Sequence, residues 1–179
     1  MTLYDKTVAF VDAAFKNERQ KKHFQRTVFW LEKFLSKITE AHRIAAYAHD
    51  IERGITGERD KDYLNPVFLR QHQEEGARIM KEFLQREDAD QKTIDTVQHL
   101  ISKHEEGGDV EQDALMNADS VSYFEANAEM FVRERAKKEG YAKIKGKLDW
   151  MFNRITSPQA KEAALENYEK WSAELETYK

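Results

Sequence analysis

The residues best equipped for chemistry in this sequence are its six histidines and a few of its carboxylates, because it contains no cysteine. Without thiols there is neither a disulfide nor a thiolate metal site, so any metal must be held by imidazole and carboxylate. Such donors suit zinc, iron, manganese, cobalt or nickel at an open site better than a closed structural zinc knot. The sharpest feature is the adjacent pair His49-Asp50 in AAYAHDIER, near the end of an alanine-rich run. Neighbouring side chains on a helix diverge by about 100°. A ring nitrogen of His49 and an oxygen of Asp50 can therefore pinch one ion lying beside the helix. Burying this pair without a partner is costly; the bland alternative is a solvated helix end.

Other residues join the pair. His23, in KKHFQRTVFWLEKFL, shares a face with Thr27 and Trp30. His72, in QHQEEGARIM, lies on the stripe of Leu69, Gly76 and Ile79. A glycine inside a helix costs about 0.5–1 kcal/mol relative to alanine, so Gly76 marks close packing of a second element near His72. His104 follows Ile94, Val97 and Ile101 at helical spacing and points inward with them. Asp119, in LMNADSVSYFE, sits one turn after Leu115 and one before Tyr123. His99 lies one turn after Asp95, opposite Val97 and Ile101, where a surface pair is expected. His42 is on the side of His49 but about 10 Å away along the axis, too far to share an ion. Both are set aside.

The elements that must position these residues are helices. Only 7 Gly and 2 Pro punctuate 179 residues, which excludes a sandwich rich in turns. Hydrophobic residues make up 40% and charged residues 35%, enough for a core beneath a well-solvated surface. Periodicity predicts helices over Leu3–Phe15, Glu18–Ile38 and Glu40–Glu52, the last central because its alanines allow close approach. A charged loop follows from Arg53 to Leu64. Asn65-Pro66 then starts a helix to about Arg86, and Asp90 caps one reaching Lys103. Further helices are expected from Val110 through Phe124, over Ala128–Lys138 and Ala142–Ile155, and from Ser157-Pro158 with Leu165, Tyr168 and Trp171 on one side. No linker divides the chain, so residues 1–179 read as a single compact, all-α domain.

The order His, His-Asp, His, His, Asp resembles the HD superfamily of metal-dependent phosphohydrolases. The resemblance spans roughly residues 21–125 and rests on HDIER after the alanine-rich helix, H-x-x-E-G-A at His72 to Ala77, and ADSVSYF at Ala118 to Phe124. It implies that His23, His49, Asp50 and Asp119 bind one divalent ion (Mn, Fe, Co, Ni, Zn or Mg). His72 and His104 are candidates for a second, with Asp50 bridging. The implied reaction is attack on a phosphoester, a nucleotide or related small molecule, by metal-bound hydroxide. Asp50, Glu52, Arg53 and Lys103 are the expected catalytic groups. Arg53, Lys103 and Arg70 are candidates for binding substrate charge, against the plainer reading of each as a solvated cation. Glu52, Glu74 and Glu75 are candidates for a general base or for orienting a ligand histidine, and GERDKD, Gly57 to Asp62, is a candidate lid.

Two other functions compete. A branch of the same superfamily, including inositol oxygenase, holds two irons with the same ligand types and activates O₂. A degenerate HD fold would serve as a non-catalytic binding module, but no expected ligand is missing. A formal charge of −4, with 29 Lys+Arg against 33 Asp+Glu, gives no basic footprint for duplex nucleic acid. A phosphorylated small molecule remains compatible, since a metal supplies local positive charge. No dinucleotide fingerprint or phosphate loop argues for an organic cofactor. The charged N-terminus and the absence of a long apolar run exclude a signal peptide and a membrane span. A cytoplasmic protein is expected, with self-association as a homo-oligomer left open.

Overall fold

The computed structural model describes residues 1–57 and 64–179, and among them every regular element is helical. The chain runs through α1 (Leu3–Ala14), α2 (Glu18–Phe34), α3 (Glu40–Ala48), α4 (Ile51–Thr56), α5 (Pro66–Arg86), α6 (Gln91–Ile101) and α7 (Val110–Ala126). It continues through α8 (Ala128–Met130), a π-helical turn (Phe131–Arg135), α9 (Ala136–Glu139), α10 (Tyr141–Asn153) and α11 (Pro158–Leu175). The candidate lid lies, beyond Gly57, outside the described residues.

Local sequence sets most of the helix starts. Asn65 accepts from the amides of Val67 and Phe68 ahead of Pro66, Asp90 from Thr93, and Ser157 from Ala160 ahead of Pro158. Asp109 and Gln112 form a capping box that begins α7. Each satisfies amides that have no partner within the helix, at about 1 kcal/mol per cap.

The expected boundaries fail in three informative places. The alanine-rich helix stops at Ala48; His49 and Asp50 form a turn, and a separate helix restarts at Ile51. Arg53 accordingly lies on α4 rather than in a loop, and Gly57 ends that helix in the left-handed conformation at φ 66°. The helix expected to reach Lys103 ends at Ile101, so His104 belongs to the turn that follows. On α11 the buried residues are Ala160, Ala164, Trp171 and Leu175, while Leu165 is exposed. The alanines, not Leu165, form the packing seam there.

Two buried clusters share α7. Leu115 and Ala118 pack with residues of α1 to α6, and Val121, Tyr123 and Phe124 pack with the C-terminal helices. Trp30 and Phe34 of α2 touch both clusters, and α2 lies along α7. From Ala114 to Phe124 every residue of α7 is buried, so this helix is as central as α3. A large apolar side chain removed from water in this way contributes about 1.5–3 kcal/mol. With that anchoring, polar residues on the buried helices are held at fixed positions inside the protein. No helix among the described residues is long and apolar enough to cross a membrane.

Candidate metal centre

His23 from α2, His49 and Asp50 from the turn between α3 and α4, His72 from α5, His104 from the turn after α6 and Asp119 from α7 all come together, and all are buried. Each imidazole is tethered through one nitrogen. His23 Nδ1 lies 2.9 Å from Ser122 Oγ, His49 Nδ1 2.9 Å from the Ala46 carbonyl, His72 Nδ1 2.7 Å from Glu52 Oε2, and His104 Nδ1 2.7 Å from the Ile101 carbonyl. An N–H donated to these oxygens fixes ring orientation and leaves Nε2 as the atom that can bind a cation. Ser122 hydroxyl in turn donates to the Asp119 carbonyl at 2.9 Å, and Thr27 Oγ1 lies 2.7 Å from Ser122 Oγ.

The free ends of the rings converge on carboxylates in two adjoining sets. His23 and His49 meet Asp119, with Nε2 to Oδ1 distances of 3.1 and 3.4 Å. His72 and His104 meet Asp50, at 3.0 and 3.9 Å, and His104 Nε2 also lies 3.8 Å from Glu105 Oε1. In each set, one donor atom per residue lies within 4.8 Å of the others. The sets touch through Asp50, whose Oδ1 faces His72 while Oδ2 lies 3.8 Å from His49 Nε2. His49 and Asp50 thus stay close to each other but belong to different sets. The turn between α3 and α4 sends them to different sets, and the Asp50 carboxylate straddles both.

The donor set fits divalent ions on its own chemistry. His49 Nε2 and His104 Nε2 are fully buried and have no hydrogen-bond partner among the described residues. Leaving a buried polar atom unsatisfied costs about 1–3 kcal/mol, and a cation would relieve both. His23, His49 and Asp119 would hold one ion, and Asp50, His72, His104 and Glu105 a second.

Electrostatics separates the groups. Burial pushes His104 down, with His49 and His72 adding to the effect against Glu105, and its pKa falls to about 4. That ring is neutral and ready to ligate near neutral pH. Burial also disfavours a charged His49, but Asp50 and Asp119 outweigh it and raise its pKa to about 9. Burial opposes ionisation of Asp50 too, yet Arg53 and His49 hold it well below the usual carboxylate range. Arg154 and His49 do the same for Asp119.

Glu52 binds Thr56 as well as His72, with Thr56 Oγ1 donating at 2.7 Å, and so orients a ligand ring. Arg53 reaches Asp50 Oδ1 at 3.4 Å and Glu105 Oε1 at 3.1 Å. Lys103 instead points away: the turn that brings His104 inward leaves the Lys103 side chain 45% exposed and paired with Glu106 at 2.7 Å. Arg70 is also on the surface, 3.9 Å from Glu106, and Glu75 pairs with Arg78. Glu74 is exposed. His42 is occupied by Thr39, and His99 pairs at 2.6 Å with Asp109, the cap of α7, rather than with Asp95. Gly76 packs against the turn: a Cβ there would lie 3.4 Å from the His49 carbonyl and 3.9 Å from Glu52 Cβ.

Three residues at the centre carried no usable pattern in the sequence. Glu105 follows His104 directly, and that adjacency was its only signal. Ser122 lies one turn beyond Asp119. Arg154, buried at the end of α10, contacts both Glu105 and Asp119, one carboxylate from each set, and donates to Ser120 Oγ at 2.8 Å. It sits 35 residues beyond Asp119, with nothing local to mark it.

Above the centre opens a cavity of about 420 Å³. His23, Asp50, Glu105 and Asp119 line it on the side of the donor sets, together with Arg53. Residues from 127 to 151, in the C-terminal helices, line it too, including Asn127, Phe131, Arg135, Lys138 and Lys147.

This arrangement of buried histidines and aspartates on a helical frame defines a candidate metal-binding domain. The HD domain family matches residues 21–172, and the chain belongs to that family. The match thus extends past residue 125 into the C-terminal helices that cover the cavity. No match was found among curated proteins or among solved structures.

Proposed function

We propose that this chain is a metal-dependent phosphohydrolase that cleaves a phosphoester of a small molecule, a nucleotide or a related compound. The observation that carries the reading is the convergence of four tethered imidazoles and three carboxylates on one side of a cavity that can admit a substrate. A divalent ion held by these residues supplies Lewis acidity toward a phosphoryl oxygen and acidifies water. The remaining work falls to the chain itself. Arg53 faces the cavity beside Asp50 and Glu105, where its guanidinium can neutralise charge on the non-bridging oxygens. Gln20 donates to Asp50 Oδ2 at 3.3 Å and holds that carboxylate in place. Glu52 keeps His72 in one orientation, and Ser122 does so for His23. Burial of the donors keeps bulk water from screening these charges.

The test combines metal analysis with turnover. Asp50→Ala should lose bound metal while keeping its helical circular dichroism. The wild-type protein should turn over members of a panel of phosphomonoesters, cyclic nucleotides and nucleoside triphosphates when supplied with Mn, Fe, Co, Ni, Zn or Mg. Silence across the panel would overturn the hydrolase reading. O₂ consumption by an iron-loaded sample would replace it with oxygenase chemistry, and silence with neither would leave a binding module.

A further inference from the structure

Arg154 reaches the metal centre from the end of α10, and each nitrogen of its guanidinium has a partner there. Nη2 donates to Asp119 Oδ2, Nη1 to Glu105 Oε2, and Nε to Ser120 Oγ at 2.8 Å. The other oxygen of each carboxylate faces the histidines. Asp119 Oδ1 lies 3.1 Å from His23 Nε2 and 3.4 Å from His49 Nε2, and Glu105 Oε1 lies 3.8 Å from His104 Nε2. One side chain thus grips one carboxylate of each donor set by its second oxygen.

The guanidinium is itself held. It is buried, with the Trp150 ring 4.5 Å from Cζ. Ser120 is fully buried, and its hydroxyl donates to the Met116 carbonyl at 2.8 Å. Two residues past Arg154, the Thr156 amide donates to Asn117 Oδ1 at 2.9 Å, and Asn117 Nδ2 donates to Thr156 Oγ1 at 3.1 Å. The end of α10 is therefore fastened to α7 on both sides of Arg154, next to Asp119. Balancing charge would require only a cation nearby. A planar fork with three anchored nitrogens does more, because it fixes the direction of both carboxylates. With its second oxygen occupied, each carboxylate presents one oxygen to an ion, already aimed.

We propose that Arg154 is the positioning residue common to both ion sites, so that Asp119 and Glu105 are oriented together and both ions bind less tightly without it. The charge of Arg154 acts in the opposite sense, since a guanidinium repels a neighbouring ion. That repulsion is blunted by the two carboxylates the guanidinium holds, whereas a loosened carboxylate must be ordered afresh by each ion that binds. Removing a partner that orients a ligand costs about 10–100-fold in metal affinity. The proposal needs the donor sets to bind ions and is independent of the reaction they serve.

The test is titration of the full metal-free chain with Mn²⁺, with free ion followed by electron paramagnetic resonance. It is run at a temperature where circular dichroism shows each variant wholly folded. Under that condition a loss of fold stability cannot by itself weaken ion binding, so positioning is separated from a structural role. Wild type should bind two ions per chain. Arg154→Lys keeps the positive charge and removes the fork, and it should weaken both ions by about 10–100-fold. Ser120→Ala leaves the charge and both carboxylates in place and frees only Nε; it should weaken both ions by about threefold. Arg154→Lys decides where it folds, and Ser120→Ala decides where it does not. Unchanged or tighter binding in the deciding variant overturns the proposal. So does a loss confined to one ion, or a wild-type chain that takes up only one. Silence on the substrate panel overturns the phosphohydrolase reading and leaves this proposal standing; phosphoester turnover with unchanged ion binding in the deciding variant does the reverse.

Discussion

Metal binding to this protein should expel a proton from His49. Burial disfavours the charged imidazole, but Asp50 and Asp119 more than compensate, and the metal-free pKa stands at about 9. At pH 7 the ring is therefore cationic. One proton lies on Nδ1, against the Ala46 carbonyl at 2.9 Å, and the other on Nε2, the atom 3.4 Å from Asp119. An ion needs the Nε2 lone pair, so the second proton must leave. Below pH 9 proton and metal compete, and the competition relaxes as pH rises. His104 adds nothing over this range, because its pKa of about 4 leaves its Nε2 already bare. Between pH 7 and 8.5 the competition at His49 alone changes affinity by roughly 25-fold, or about 2 kcal/mol. An imidazole with an ordinary pKa would give little change over most of that span. The assay is titration of metal-free protein with Mn²⁺ in buffers of different ionisation enthalpy, from which the protons released per binding event are obtained. At least one proton should appear at pH 7. Heats that do not depend on the buffer at pH 7, or an affinity flat from pH 7 to 8.5, would refute the assignment of His49 as a ligand.

Two further substitutions probe the residues that support the donors. Ser122→Ala removes the acceptor that holds His23 Nδ1 and should weaken metal binding about 10–100-fold with little change in helicity; unchanged affinity would show that the tether is dispensable. Arg154→Met strips a buried partner from Asp119 and Glu105 and should destabilise the metal-free protein by about 3–5 kcal/mol. Saturating Mn²⁺ should recover much of that loss, because ions take over the charge of the same carboxylates; a metal-free melting temperature equal to wild type would sink the argument.

The sequence by itself determined the helical class, the caps at Asn65, Asp90 and Ser157, and the ordered histidines and aspartates. All of these are local signals. A cap acts within three residues, and inward phase follows from spacing along one helix. The six residues singled out for metal are all buried and lie together in the two donor sets, with Glu105 as a seventh; His72, His104 and Asp119 lay at inward helical phase, whereas His49-Asp50 was marked only by the alanine-rich run before it. Only the tertiary structure decided how they are shared out. The break after Ala48 was invisible because alanine-rich helical sequence runs up to it, and that break sends His49 and Asp50 to different donor sets. Helical spacing turned His104 inward, but Lys103 beside it was expected at the centre as well; the turn after Ile101 leaves Lys103 at the surface, paired with Glu106. Arg154 and the cavity wall from Asn127 to Lys147 were beyond reach for the same reason. Their importance comes from meeting Asp119, Glu105 and the cavity across the fold, and a charge buried by a distant partner leaves no pattern in its own neighbourhood.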